Sequence, residues 1–166
     1  MPAPDARRIT NVPPPAGTTL FLIGMRVTHP LRVRAWLSVV LAMPRMLIHL
    51  RRHADAGMLT YRMYFGPSIM VVSYWRSPAA LQRFAADSDG PHLPAWRSFA
   101  KRFADADSVG IWHETYVIGE HETVSSGMSP WGLAEAVGAR PVGPAESTAA
   151  RRMARTEGST EMFSGQ

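Results

Sequence analysis

Residues 59–84, LTYRMYFGPSIMVVSYWRSPAALQRF, decide the fold. Leu59, Tyr61, Met63 and Phe65 alternate with Thr60, Arg62 and Tyr64, the period of a strand that shows different faces to its two sides. Gly66-Pro67-Ser68 punctuates the run, and a second apolar run, residues 69–75, follows. Two such runs across a short Gly-Pro turn predict an antiparallel hairpin. Ser77-Pro78 then supplies a capping hydroxyl and a proline at the first helical position, the start of a helix that runs through Leu81 and Phe84. Asp87-Ser88-Asp89-Gly90 stops it.

Working outward, residues 18–27 (TTLFLIGMRV) form an almost continuous apolar run, the mark of a strand covered on both faces. Gly24 inside it signals a bulge or a close backbone approach. His29-Pro30 ends the strand. Over residues 34–52, Trp36, Val40, Met43, Leu47 and Leu50 recur at helical spacing, with Leu37, Leu41 and Ile48 widening the stripe. Pro44 should kink or split this helix, and Gly57 fits its closing turn. Downstream, residues 90–118 read GPHLPAWRSFAKRFADADSVGIWHETYVI: a short helix with Trp96, Phe99 and Phe103, a polar turn, and a fourth strand over 109–118. The order strand, helix, strand, strand, helix, strand predicts an α+β, ferredoxin-like βαββαβ domain with a four-stranded antiparallel sheet. Its uncovered face calls for a second copy of the chain.

At 166 residues one domain is expected, over 18–138. Residues 1–17 read as a disordered arm and 139–166 as a flexible tail, with a short helix or hairpin near 131–137. There is no cysteine, which removes disulfides, thiolate nucleophiles and thiolate metal sites. Residues 1–17 lack the apolar core of a secretory signal, and no run reaches the ~20 apolar residues of a membrane span, so a cytoplasmic protein is expected. The net charge of +5 sits partly in residues 26–52, which hold six arginines and no acid. These arginines flank an apolar helix and form no aromatic-interleaved basic stripe, which argues against nucleic acid. The same helix could lie on a membrane, but the strands around it favour burial against a sheet.

Strand parity sorts the candidate site. Trp112, Glu114 and Tyr116 share one face of the fourth strand; His113 shares the other with Ile111. Arg62 and Tyr64 on the second strand, Tyr74 on the third and Arg26 on the first join the more polar set, assigned to the cavity or dimer side. Glu114 is either paired with Arg26 or Arg62 or poised as a base among apolar walls. His92 and His113 carry the intrinsic basicity of a general base, and each could instead make a structural hydrogen bond. Trp75, Trp96 and Trp112 offer flat surfaces for an aromatic substrate, or simply core. No His-Glu-x-x-His, Gly-rich phosphate loop or Gly-x-Ser-x-Gly elbow is present, so no metal site is expected.

PHLPAWRSF and GIWHETYVI, preceded by FLIGMRV and YFGPSIMVVSYWRS, resemble a bacterial "monooxygenase family protein" of unknown function in the dimeric α/β-barrel superfamily, over roughly residues 20–138. The resemblance implies a homodimer of ferredoxin-like protomers with a cavity between sheet and helices. It also implies a small oxygenase acting on a hydrophobic or aromatic molecule, either cofactor-free or with haem on His92 or His113. A haem-binding dehydratase-like enzyme and a non-catalytic binding or dimerisation module are the alternatives it leaves. In the cofactor-free case His92, His113 or Glu114 would take the substrate proton. Arg26 or Arg62 would hold the anion, with Tyr64, Trp75, Trp96, Trp112 and Tyr116 around the ring.

Overall fold

The computed structural model describes residues 8–88, 90, 97 and 109–161. They form two compact units: Thr19–Tyr116, and the flanking segments 8–18 with 117–161.

In the first unit, β2 (Thr19–Val27), β3 (Met58–Tyr64), β4 (Ile69–Trp75) and β5 (Val109–Val117) make one sheet in the order β3-β4-β2-β5. Helix α1 (Val33–Arg52) connects β2 to β3, and α2 (Pro78–Ala86) follows β4. This is the ferredoxin-like arrangement that the order of the sequence patterns predicts. β4 pairs antiparallel with both β2 and β3. Residues opposite one another share a face, so the rows Tyr61–Ser73–Phe21 and Met63–Val71–Ile23 lie on one side and Arg62–Val72–Leu22 and Tyr64–Met70–Gly24 on the other. The register runs unbroken through Gly24; the irregularity falls on β3, between Met58 and Thr60. Gly24 therefore marks a close approach, not a bulge.

The core lies on the first of these sides. Trp75, 2 % exposed, packs with Leu50 of α1 and Ala80 and Leu81 of α2, with Phe21, Met58 and Phe84 around them. Its indole N–H donates to Ser73 Oγ (3.0 Å), and that hydroxyl donates to the Phe21 carbonyl (3.2 Å). The buried polar end is thus satisfied. Trp75, expected among the substrate-binding residues, is instead the largest side chain of the core.

Ser77 caps α2 as its sequence implies, its Oγ accepting from Ala80 N at 3.2 Å. Helix α1 runs past Pro44 as one element, where the sequence allows a split. The proline removes the donor for the carbonyl four residues back. Gly57 closes the turn after a short 3-10 segment (Ala54–Ala56) with φ +93°, and a Cβ there would come within 2.7 Å of Ala80 Cβ. Both conformation and space require glycine.

The second unit holds β1 (Arg8–Asn11), which pairs antiparallel with β6 (Ser125–Ser126) and β7 (Ala139–Pro141), together with α3 (Leu133–Val137) and α4 (Ala149–Glu161). Helix α3 falls where a short helix is expected. Residues 8–11 and 139–161, read from the sequence as arm and tail, carry regular structure, and what holds them is polar. Buried Asn11 accepts from Thr123 Oγ1 (2.6 Å) and donates to the Val12 carbonyl (2.8 Å), with His121 Nε2 at 3.0 Å from the same amide nitrogen. Buried Arg152 pairs with Glu122 (2.7 Å) and donates to the Glu146 carbonyl (3.0 Å). Arg140 and Arg155 both meet the Glu146 carboxylate, and Arg140 in particular holds it below the usual carboxylate range. The contacts of Asn11 and the Arg152–Glu122 pair join residues distant in the chain, and none of these contacts leaves an apolar period to read.

Candidate functional site

Between α1 and the sheet lies a cavity of about 120 Å³. β2 and β4 contribute Ile23, Gly24, Met25, Ile69 and Val71, β3 and its hairpin Met63 and Phe65, β5 Ile111, and α1 Val40, Met43 and Pro44. The lining is apolar because, apart from Gly24, its sheet-side residues are odd-numbered ones that face the helix, and those positions are Ile, Met, Val and Phe. A cavity of this size suits a ligand near one aromatic ring: an engineered apolar cavity of ~150 Å³ takes benzene. It falls below the ~300–1,000 Å³ of sites for drug-sized molecules.

His113 belongs to this side. It stands two residues beyond Ile111 on β5, its ring 5.9 Å from that of Phe21 and tilted by 43°. It thereby extends the Tyr61–Ser73–Phe21 row that adjoins the cavity row. It does not itself line the cavity.

The opposite face holds the polar set. Trp112 lies across Gly24: a Cβ added to Gly24 would fall within 2.6 Å of the indole Cζ2. Only a residue without a side chain lets the ring lie flat on β2. Two residues on, Glu114 accepts a hydrogen bond from Tyr116 Oη at 2.6 Å. That bond, with the carboxylate charge behind it, raises the Tyr116 phenol above its ordinary range. Among the described residues the hydrogen bond to Glu114 thus comes from a tyrosine, where the sequence suggests Arg26 or Arg62. Arg62 and Tyr64 share this face across β3, while Arg26 is exposed near the end of β2.

The structure therefore brings Arg62, Tyr64, Trp112, Glu114 and Tyr116 to one face, as parity predicts, but that face is not the one that encloses the cavity. His92 and Trp96 lie outside the described residues. The cavity-lining Met43, Met63 and Phe65 carry no chemical signature in sequence; only their position on the helix-facing side of the pattern marks them. No group of three or more His, Asp or Glu able to hold a metal occurs among the described residues. Among the described residues His113 does not line the cavity, and His92, the other histidine offered to a haem, lies outside them.

A ferredoxin-like α+β domain with an apolar chamber under its first helix defines the class. Within it, residues 18–133 match the model of the family described as "Monooxygenase af470-like", and the chain belongs to that family. No curated protein matches the chain. Among solved structures it is similar to an aldoxime dehydratase (18% identity, TM-score 0.57, 68% of this chain and 35% of that one). It is also similar to the aldoxime dehydratase OxdRE in complex with butyraldoxime (17% identity, TM-score 0.55, 68% and 34%). SnoaB, a cofactor-independent oxygenase from Streptomyces nogalater, matches at 14% identity with a TM-score of 0.46, over 64% of this chain and 97% of that one. The chain spans about a third of the length of each dehydratase, and at these identities the likeness establishes the fold alone. Among the described residues no helix is long and apolar enough to cross a membrane.

Proposed function

We propose that this chain is a small cofactor-free oxygenase that takes a single-ring hydrophobic phenol into the cavity under α1. The observation that supports this reading is the juxtaposition of an apolar chamber with His113 on the same face of the same strand, two residues from the chamber wall at Ile111. A phenol oxidised to a quinone needs no outside reductant. The substrate loses two hydrogens and gains one oxygen atom; the other atom of O₂ leaves as water. The protein must take the phenolic proton and exclude bulk water while the anion passes electrons to O₂. His113, on the strand face that carries Ile111 to the chamber, would do the first. The apolar side chains of Ile23, Met43, Met63 and Ile111 would serve the second. His92 is the parallel base candidate, and Glu114, on the opposite face and already engaged by Tyr116, ranks below both.

The other face of the sheet, with Leu22, Met70, Val72 and Trp112, is the surface we assign to a homodimer. Oxygen uptake across a panel of single-ring phenols tests the activity. The expected result is uptake by the parent and its loss in His113→Ala, with far-UV circular dichroism and sedimentation unchanged. Parent-rate turnover in both His113→Ala and His92→Ala would remove the base from this mechanism. A Soret band in protein from haem-replete cells would overturn the cofactor-free reading, and saturable phenol binding without oxygen uptake would leave a binding module.

A further inference from the structure

Helix α1 has a second apolar face. Val33, Leu37, Leu41 and Ile48 are 46, 39, 52 and 48% exposed, and with exposed Pro44 they recur at spacings of four, four, three and four, one continuous stripe. It lies beside the core-facing stripe of Leu47 and Leu50, so the helix is apolar over more than the sheet can cover. Phe65, at the tip of the β3–β4 hairpin and 75% exposed, lines the cavity together with Pro44. The chamber therefore has two of its wall residues on this exposed surface. Along one edge run Arg45 and Arg52, exposed and seven residues apart, with Arg51 in the same final turn. Residues 26–52 contain no Asp or Glu.

We propose that this face of α1, with Phe65, docks in the plane of an anionic lipid bilayer. The charge pattern selects that occupant. A second copy of this chain would set the Arg45–Arg52 edge against its own like charges. A folded acidic partner would need carboxylates matched to those arginines, whereas anionic headgroups are mobile and meet any spacing. Aliphatic residues flanked by arginines whose stems lie along apolar surface and whose heads reach the headgroups are the composition of an interfacial helix. α1 lies on the surface and does not cross it. If the cavity serves a hydrophobic substrate, a step that rests on the function proposed above, the Pro44–Phe65 rim is where a molecule dissolved in the bilayer enters.

Vesicle flotation with the full chain tests the docking without reference to turnover. The parent should float with vesicles of phosphatidylglycerol and phosphatidylcholine and stay behind with phosphatidylcholine alone. Arg45→Glu/Arg52→Glu should weaken partitioning on the order of tenfold or more. Leu41→Ser/Ile48→Ser should abolish flotation while leaving far-UV circular dichroism and the sedimentation coefficient unchanged. A parent that does not float overturns the proposal. So does flotation that survives Leu41→Ser/Ile48→Ser, since charge elsewhere would then suffice. A fall in oligomeric mass in that variant would assign the face to a second copy of the chain.

Discussion

Gly24→Ala isolates the contact that lays Trp112 on β2. Gly24 has no positive φ, and its register with Met70 is regular, so alanine fits the backbone there. Alone, that change would stabilise the chain by about 0.4–1 kcal/mol by narrowing the unfolded ensemble. The new methyl, however, lands on the indole, 2.6 Å from Cζ2 and closer still to Cε2 and Nε1. Ordinary carbon separations begin near 3.5 Å, so the ring must retreat by about 1 Å. Overpacking of this kind costs about 1–3 kcal/mol. Trp112 is 37% exposed and can swing outward, which places the penalty toward the lower end and the net cost of Gly24→Ala near 0.5–1.5 kcal/mol. In a Trp112→Ala background the penalty vanishes and Gly24→Ala becomes stabilising. Urea unfolding of the four proteins at one fixed concentration, followed by circular dichroism, completes the cycle. A coupling within about 0.5 kcal/mol of zero would mean that the indole does not occupy the space above Gly24.

Two further outcomes follow from single contacts. Glu114→Gln removes the charge that raises Tyr116, so the phenol should titrate at lower pH in the variant, read by absorbance at 295 nm. Because its folded value lies above the unfolded one, the pair's contribution is present below the ordinary tyrosine range and lost as pH rises through the raised value; an unmoved titration would dissociate the two groups. Trp75→Ala should cost about 3–5 kcal/mol in urea unfolding, since it empties the buried cluster with Leu50 and Leu81; a loss below about 1 kcal/mol would return Trp75 to the candidates for ligand contact.

The elements of the sheet unit were legible because each is set by a local signal: alternation in β3, a continuous apolar run in β2, Ser77-Pro78 at the start of α2. Parity also sorted β5 correctly, and Trp75, sharing its parity with Val71 and Ser73, stood on the core side by the same logic. Its assignment to substrate came from the size of an aromatic ring, which core and site use alike. Which face encloses the chamber was not legible. That depends on how α1 lies on the sheet, and its apolar residues cover two faces, so the pattern does not say which one turns inward. Pro44 left a kink or a split open, and α1 is one element through it. In the second unit the determinants are Arg152 with Glu122 and Arg140 with Glu146, ion pairs that no periodicity announces.

One strand presents both halves of the proposed chemistry, and its alternation keeps them separable. On β5 the odd side carries Ile111 to the cavity and His113 to Phe21, while the even side carries Trp112, Glu114 and Tyr116 to the opposite surface. In the proposed dimer the even side is covered, and a carboxylate covered without partners costs several kcal/mol. Tyr116 Oη already meets one oxygen of Glu114, which lowers the cost of covering it and gives the pair a reason to exist apart from catalysis. The same residues that looked, along the chain, like one crowded active site thus divide by the alternation of the pleat: in the function proposed above, assembly falls on the side of Glu114 and Tyr116, and proton transfer on the side of His113 and the apolar chamber.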